Sequence, residues 1–311
     1  MNYEKRHNPI KKTISYLYVI LGAACWGFIG LFNRMLGEAG VSVWNRVFIR
    51  NFVSLVLLTA VFALFHRQVF RIRLKHLPIF LAAGLISVLC LAITYFNCQM
   101  RCSLAVAGIL LYLAPSFVVL MSALLWKAPL TKRKLLALAL SFLGCALVSG
   151  IVGGDTSVSA VGLLLGVGAG FCYATYTIFA HYGLAHYDSY TMIYWTFLVA
   201  GIGSVFFLNP TELAAAMPDS RLWLGAAGLV VIATVLPYIF YTKGLEGVES
   251  GKASIIANVE PVVATLTGVV FFHETLSIWT LLGVGCVLGG VIILAKGDAP
   301  CSDTESSTVS T

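Results

Sequence analysis

The sequence predicts an all-α integral membrane protein with ten transmembrane helices in two inverted five-helix repeats. Three observations predict it: a composition that water cannot accommodate, ten long apolar runs, and an internal similarity at a fixed offset. Of 311 residues, 59% are apolar and 11% are charged, against about 25% charged in an average soluble domain. A folded chain of a few hundred residues still exposes a large surface. So much apolar side chain is tolerated only where lipid is the solvent.

The runs fall at about residues 15–36, 43–65, 77–99, 102–126, 131–151, 158–182, 189–208, 222–243, 249–272 and 277–296. Each approaches or exceeds the ~20 residues that cross a hydrocarbon core. They are too long and too evenly apolar for the alternating ~10-residue strands of a membrane barrel. A helix also pairs its backbone polar groups within one segment, as lipid demands. The first run follows a basic start, as in a signal peptide. Tyr16 to Phe32 is nevertheless long enough to span, and further runs follow, so it is expected to be an uncleaved first helix. The connections are short, the longest running from Asn209 to Arg221, which leaves no room for an inserted soluble domain. The chain is thus divided into a cytoplasmic N-terminal segment (1–14), a first repeat (15–151), a second repeat (158–296), and a Ser-, Thr- and Asp-containing cytoplasmic tail (297–311) expected to be disordered.

The net charge of +7 raises nucleic acid as a partner, but the placement of the charges excludes it. The basic residues cluster between apolar runs, at Lys5, Arg6, Lys11 and Lys12; Arg67, Arg71, Arg73 and Lys75; and Lys127, Lys132, Arg133 and Lys134. Such clusters encode topology and contact with anionic lipid heads. With ten spans and the N-terminus in the cytoplasm, fifteen of the 20 Lys and Arg lie on inside segments. The outside ends hold the other five, Arg34, Arg46, Arg50, Arg101 and Arg221. That imbalance places both termini inside, and a plasma-membrane location is expected.

The two halves match. Offset by 146 residues, Cys102–Ser149 falls on Val248–Ala295 without a gap: Ala107 on Ala253, Pro115 on Pro261, Leu130 on Leu276, Gly144 on Gly290. Offset by 147, Cys25 and Trp26 fall on Cys172 and Tyr173. Five spans per copy is an odd number, so the second copy must be inverted. Inverted repeats that enclose one central site are the recurrent plan of secondary transporters.

The residues that bear this pattern resemble a known family. They are Leu-Gly-Ala-Ala-Cys-Trp-Gly at Leu21–Gly27, Arg101 to Ala105 leading into the fourth run, Tyr112–Leu125, and Asn258–Leu294 with Glu260-Pro261, Glu274 and a Gly-rich last run. From Tyr16 to Lys296 the chain resembles the EamA family of the drug/metabolite transporter superfamily. The resemblance implies ten helices in two inverted repeats, a central cavity, and export or exchange of metabolites such as amino acids. It also implies a Glu in the turn after the fourth helix, matching Glu274; here that place is taken by Ala128.

Polar groups inside the hydrocarbon are costly and usually face a cavity or a partner, which makes them the candidates for solute contact. Glu260 lies mid-span before Pro261, which frees a backbone carbonyl and disfavours helix at Glu260. Carboxylate and carbonyl together suit a proton or a cationic group; the alternative is a structural kink carboxylate paired with a neighbouring hydroxyl or Lys. Asn258 and its repeat partner Tyr112, beside the matching kink at Pro115, are expected to face each other across the cavity. Trp26 and Tyr173, with Tyr176 and Asn33, are expected to form an aromatic, partly polar wall suited to amino acids, amines or aromatic metabolites. Tyr95 and Tyr238 join the substrate-binding set, with Asn97, Gln99, Pro237 and Tyr241 as further cavity or gate residues. Arg46 and Arg50, one turn apart, either line an outer basic patch for an anion or snorkel to the lipid heads; snorkelling is the preferred expectation.

No phosphate loop, H-E-x-x-H pair or G-x-S-x-G turn occurs in the sequence, so neither ATP drive nor enzyme activity is expected. The eight cysteines have no metal spacing; seven lie in or beside apolar runs as small hydrophobes, and Cys301 is in the tail. No metal or cofactor is expected. The sequence therefore points to a secondary transporter of small metabolites, exporting amino acids or related compounds by alternating access, with protons as a candidate coupling ion and a monomer or homodimer in the bilayer. A facilitative channel or an exchanger for another organic solute is the alternative.

Overall fold

The computed structural model describes residues 9–99, 101–102, 104–148, 159–273 and 277–296. Among them every regular element is helical. Eight helices are long and apolar enough to cross a membrane: α1 (Thr13–Glu38), α2 (Val43–Phe65), α3 (Leu74–Cys98), α4 (Val106–Trp126), α6 (Ala160–Leu184), α7 (Ser189–Phe207), α8 (Ser220–Gly244) and α9 (Ser250–Phe272). Two shorter apolar helices occupy the remaining runs, α5 (Lys132–Val148) and α10 (Ile278–Lys296). The ten expected runs are therefore all helical, with boundaries displaced by a few residues. The tail 297–311, Cys301 and Glu274 lie outside the described residues.

The helices keep the 146-residue register seen in the sequence. Val43, Leu74 and Lys132, which open α2, α3 and α5, lie 146 residues before Ser189, Ser220 and Ile278, which open α7, α8 and α10. The interruptions recur at the same offset. A turn at Tyr112 and Leu113 precedes Pro115 in α4, and a 3-10 segment, Ala257–Val259, precedes Pro261 in α9. Each proline lacks an N–H and crowds the preceding turn, so the ladder breaks there. Both helices then end on a left-handed residue. Lys127 (φ 54°, ψ 32°) and His273 (φ 53°, ψ 33°) are the non-glycine residues with positive φ among those described. Their amides donate to the carbonyls of Ser122 and Gly268, again 146 apart. A Cβ in that region is strained, so Lys127→Gly is expected to raise stability by about 1 kcal/mol. Thermal melting of the purified protein in detergent measures it; an unchanged or lower melting temperature contradicts the strain.

Small residues set the helix contacts. Without a hydrophobic force between helices in lipid, close backbone approach supplies packing. Gly22 of α1 lies against Tyr241 and the Pro237 carbonyl of α8, and Gly170 of α6 lies against the Leu110 carbonyl of α4. Gly144 of α5 and Gly290 of α10 each rest on the other's helix. The outward surface remains apolar, with Phe206 90%, Leu164 76% and Phe65 74% exposed, as lipid contact requires. The cysteines among the described residues are free thiols, Cys98, Cys102, Cys145 and Cys172 buried and Cys25, Cys90 and Cys286 half-buried.

Polar cross-links gather at the two ends of the bundle. At one end, Tyr187 accepts from the backbone N–H of Arg73 (2.9 Å) and contacts His76 Nδ1 (2.8 Å). Lys134 pairs there with Glu249, and Ser189 donates to Glu246. At the other end, the start of α2 is tied to the segment between α7 and α8. Buried Asn45 donates to Glu212 (2.8 Å) and to the Asn209 carbonyl (3.1 Å), and its own Oδ1 accepts from the Asn209 N–H (2.9 Å). The Ser42 N–H donates to the same carboxylate at 2.5 Å.

That N–H holds the Glu212 carboxyl below the usual glutamate range; burial opposes it, and Asn45 and the Arg46 charge add to it. A depressed pKa means the folded state favours the ionised form. The contribution to stability is complete above the ordinary glutamate pKa and is lost as pH falls below about 4, through the lowered value. The melting temperature of the wild type is expected to drop between about pH 5 and pH 3 more steeply than that of Glu212→Gln. Parallel profiles would count against this clamp.

Candidate functional site

Two adjoining cavities occupy the middle of the bundle, and five side chains wall both: Trp26 of α1, Tyr112 of α4, Tyr173 of α6, Tyr238 of α8 and Glu260 of α9. The smaller, about 440 Å³, is completed by Pro115, Tyr176, Asn258 and their neighbours. The larger, about 960 Å³, extends past Tyr95 and Asn33 to Arg46. It reaches toward the end of the bundle that carries the Asn45–Glu212 clamp.

The aromatic wall is built by contact across the two halves. Trp26 meets Tyr173 edge-on, with ring centroids 6.1 Å apart, and also packs against Tyr238 (5.5 Å) and Tyr241 (5.3 Å). Tyr176 packs edge-on to Tyr238 at 4.9 Å. The hydroxyls behind this wall are satisfied within the protein: Tyr176 with Thr242 (2.7 Å) and Tyr241 with Thr177 (2.9 Å). Tyr173 instead turns its hydroxyl to the cavity and donates to Glu260 Oε2 at 3.1 Å. Glu260 opens the helix that follows the 3-10 break in α9 and itself keeps helical dihedrals, against the expectation that Pro261 would disfavour helix there; it lines both cavities. Asn258 is 4% exposed, and its Nδ2 has no partner.

The residues singled out from the sequence are thus brought together. Trp26, Tyr112, Tyr173, Tyr238 and Glu260 line both cavities, Asn33 and Tyr95 the larger, and Pro115, Tyr176 and Asn258 the smaller. Pro261 is buried behind Glu260 as part of the kink. Asn97 bonds back to the Ile93 carbonyl of its own helix; the side chain of Gln99 lies outside the described set.

Snorkelling of Arg46 and Arg50 is overturned: both line the larger cavity. Arg46 is held by the carbonyls of Val41 (2.9 Å) and Asn33 (3.1 Å) at the end of α1. Arg50 lies in a π-helical stretch of α2, Ile49–Val53, between buried Ile49 and Asn51. Such a bulge re-aims side chains and is frequent at functional sites. An arginine seven residues inside a 23-residue apolar helix was the available sign. The pattern gave no direction for it: Arg46, Asn51 and Ser54 stand near it among apolar residues, and spacing alone does not say which face meets the cavity.

A cavity that sets a few charged and polar groups in an aromatic wall, inside a lipid-facing bundle, is the geometry of a solute path, and the similarities agree. The model of the EamA-like transporter family matches twice, over residues 13–150 and 160–296. The chain belongs to the EamA-like transporter family. This EamA-like protein is therefore a multi-pass membrane transporter. It is 30% identical over 275 residues to an "Uncharacterized transporter" of Archaeoglobus fulgidus, covering 88% of this chain and 94% of that one. It is 26% identical over 290 residues to the "Uncharacterized inner membrane transporter YicL" of Salmonella typhimurium, covering 90% and 94%. A solved crystal structure superposes with a TM-score of 0.75 at 16% identity over 92% of this chain and 99% of that chain, a likeness of fold.

Proposed function

We propose that this EamA-like protein is a secondary transporter that exports amino acids or related small metabolites by alternating access. In this reading all ten helices span a plasma membrane as two inverted five-helix repeats, with both termini cytoplasmic and residues 15–151 and 158–296 as the repeats. The double family match and the 146-residue helix register support the repeats. The observation that carries the function is the cavity walled by aromatic residues from both halves, with one carboxylate, Glu260, at its centre.

Alternating access requires that the ends open in turn. The larger cavity extends toward the end held by Asn45 and Glu212, while cross-links such as Lys134–Glu249 and Ser189–Glu246 hold the opposite end. The two proline breaks give the halves matching points at which to rock. Glu260 is the proton- or cation-binding group, and its hydrogen bond from Tyr173 couples its charge to the aromatic wall. Counterflow of labelled amino acids in proteoliposomes tests the reading. A carrier shows transient accumulation against preloaded unlabelled solute; a channel shows none.

A further inference from the structure

Arg50 has no assigned role, and it is anomalous on two counts. It is an ionised side chain inside an apolar helix, and its buried Nε has no hydrogen-bond partner. A buried guanidinium N–H left without an acceptor is destabilising, and ionised side chains inside a membrane span mark solute or ion paths. Arg46, one turn away, differs, because two backbone carbonyls satisfy it. The charged side chains lining the larger cavity are Arg46, Arg50 and Glu260, so positive charge is in excess there.

The charges also break the symmetry of the frame. The position 146 residues after Arg50 is Thr196, whose hydroxyl is spent on the Met192 carbonyl, and the position 146 before Glu260 is Ala114. Trp26 and Tyr173 are matched between the halves, but the cation sits on α2 alone and the carboxylate on α9 alone. A cavity with one positive and one negative pole suits a solute with two unlike ends, held in one orientation.

We infer that Arg50 is the anion-binding subsite of this transporter, and that it receives a carboxylate of the transported solute. The guanidinium is planar and always charged, and its fork matches the two oxygens of a carboxylate. Bound there, the solute supplies the acceptor that the Arg50 Nε lacks, and its other end lies toward Glu260 and the aromatic wall. The inference rests on the transporter reading and specifies its solute.

The test uses the full-length protein purified in detergent, and follows its melting temperature with matched pairs of probes: L-leucine and isoamylamine, L-phenylalanine and phenethylamine, L-lysine and cadaverine. Within a pair the members differ by the carboxylate. At least one acid is expected to stabilise the wild type while its amine does not. Arg50→Gln is expected to weaken that acid roughly 30-fold or more, and Arg50→Lys, which keeps charge but not the fork, by about tenfold. Without ligand, Arg50→Gln is expected to melt at or above the wild-type temperature, because it removes a guanidinium whose buried Nε has no acceptor. Lower melting of both unliganded variants marks Arg50 as structural and overturns the inference, as do amines that stabilise as well as acids. If no acid stabilises, yet proteoliposomes exchange a solute that has no carboxylate, the subsite is refuted and the transporter reading stands. If no solute is exchanged at all, both fall.

Discussion

Glu260→Gln is expected to abolish transport driven by a pH gradient while the protein still folds and reaches the membrane. Glutamine is nearly isosteric and keeps a carbonyl oxygen where Glu260 accepts from Tyr173 at 3.1 Å, so the aromatic wall and the kink before Pro261 remain supported. What is lost is the capacity to gain and release a proton, or to hold a cation, at the point where the two cavities meet. Gradient-driven flux is expected to fall to background, while counterflow, which needs no net proton movement, persists in the same vesicles. Flux assays with and without an imposed pH difference separate the two. Undiminished pH-driven flux removes Glu260 from the coupling and leaves it as a structural carboxylate of the break.

The second large effect concerns the contact between α5 and α10. A Cβ placed on Gly144 would lie 2.6 Å from the Gly283 carbonyl oxygen and 2.8 Å from the Val287 backbone nitrogen. These are backbone atoms, which no rotamer change moves aside, so the helices must separate. Gly144→Ala is expected to cost about 2 kcal/mol, in the range of overpacked cores, and Gly144→Leu to prevent recovery of a monodisperse protein. A neighbouring residue supplies the control. Gly290 packs on α5, with the Ala137 carbonyl 2.9 Å from its ideal Cβ, whereas Gly289 has nothing within 4 Å. Gly289→Ala is expected to be neutral or mildly stabilising, since alanine is the better helix former by up to about 1 kcal/mol. Melting temperatures in detergent report the series. A Gly144→Ala protein that melts like the wild type would show that the two helices do not meet there.

Several features were legible before the structure because they are local. Proline geometry is fixed by its own ring, so Pro115 and Pro261 disclosed where α4 and α9 break. Trp26 and Tyr173 were paired by position alone, and they touch. The site residues that were harder to find carry no local sign. Arg50 belongs to a largely apolar helix, and only its place in the cavity wall distinguishes it from a residue that faces lipid. The Asn45–Glu212 clamp joins residues 167 positions apart, and neither end carries a pattern that names the other.

The sequence by itself determined the membrane class, the helical runs and the places where two of them break. Each of these follows from the length and apolar content of short stretches, or from one residue's own geometry. Only the tertiary structure decided which faces meet and which are left to lipid. In water an amphipathic stripe marks the buried face of a helix, but in a bilayer both faces are apolar. The direction of Arg50, the meeting of Glu260 with Tyr173, and the close approach of Gly144 to α10 are therefore set by packing between helices.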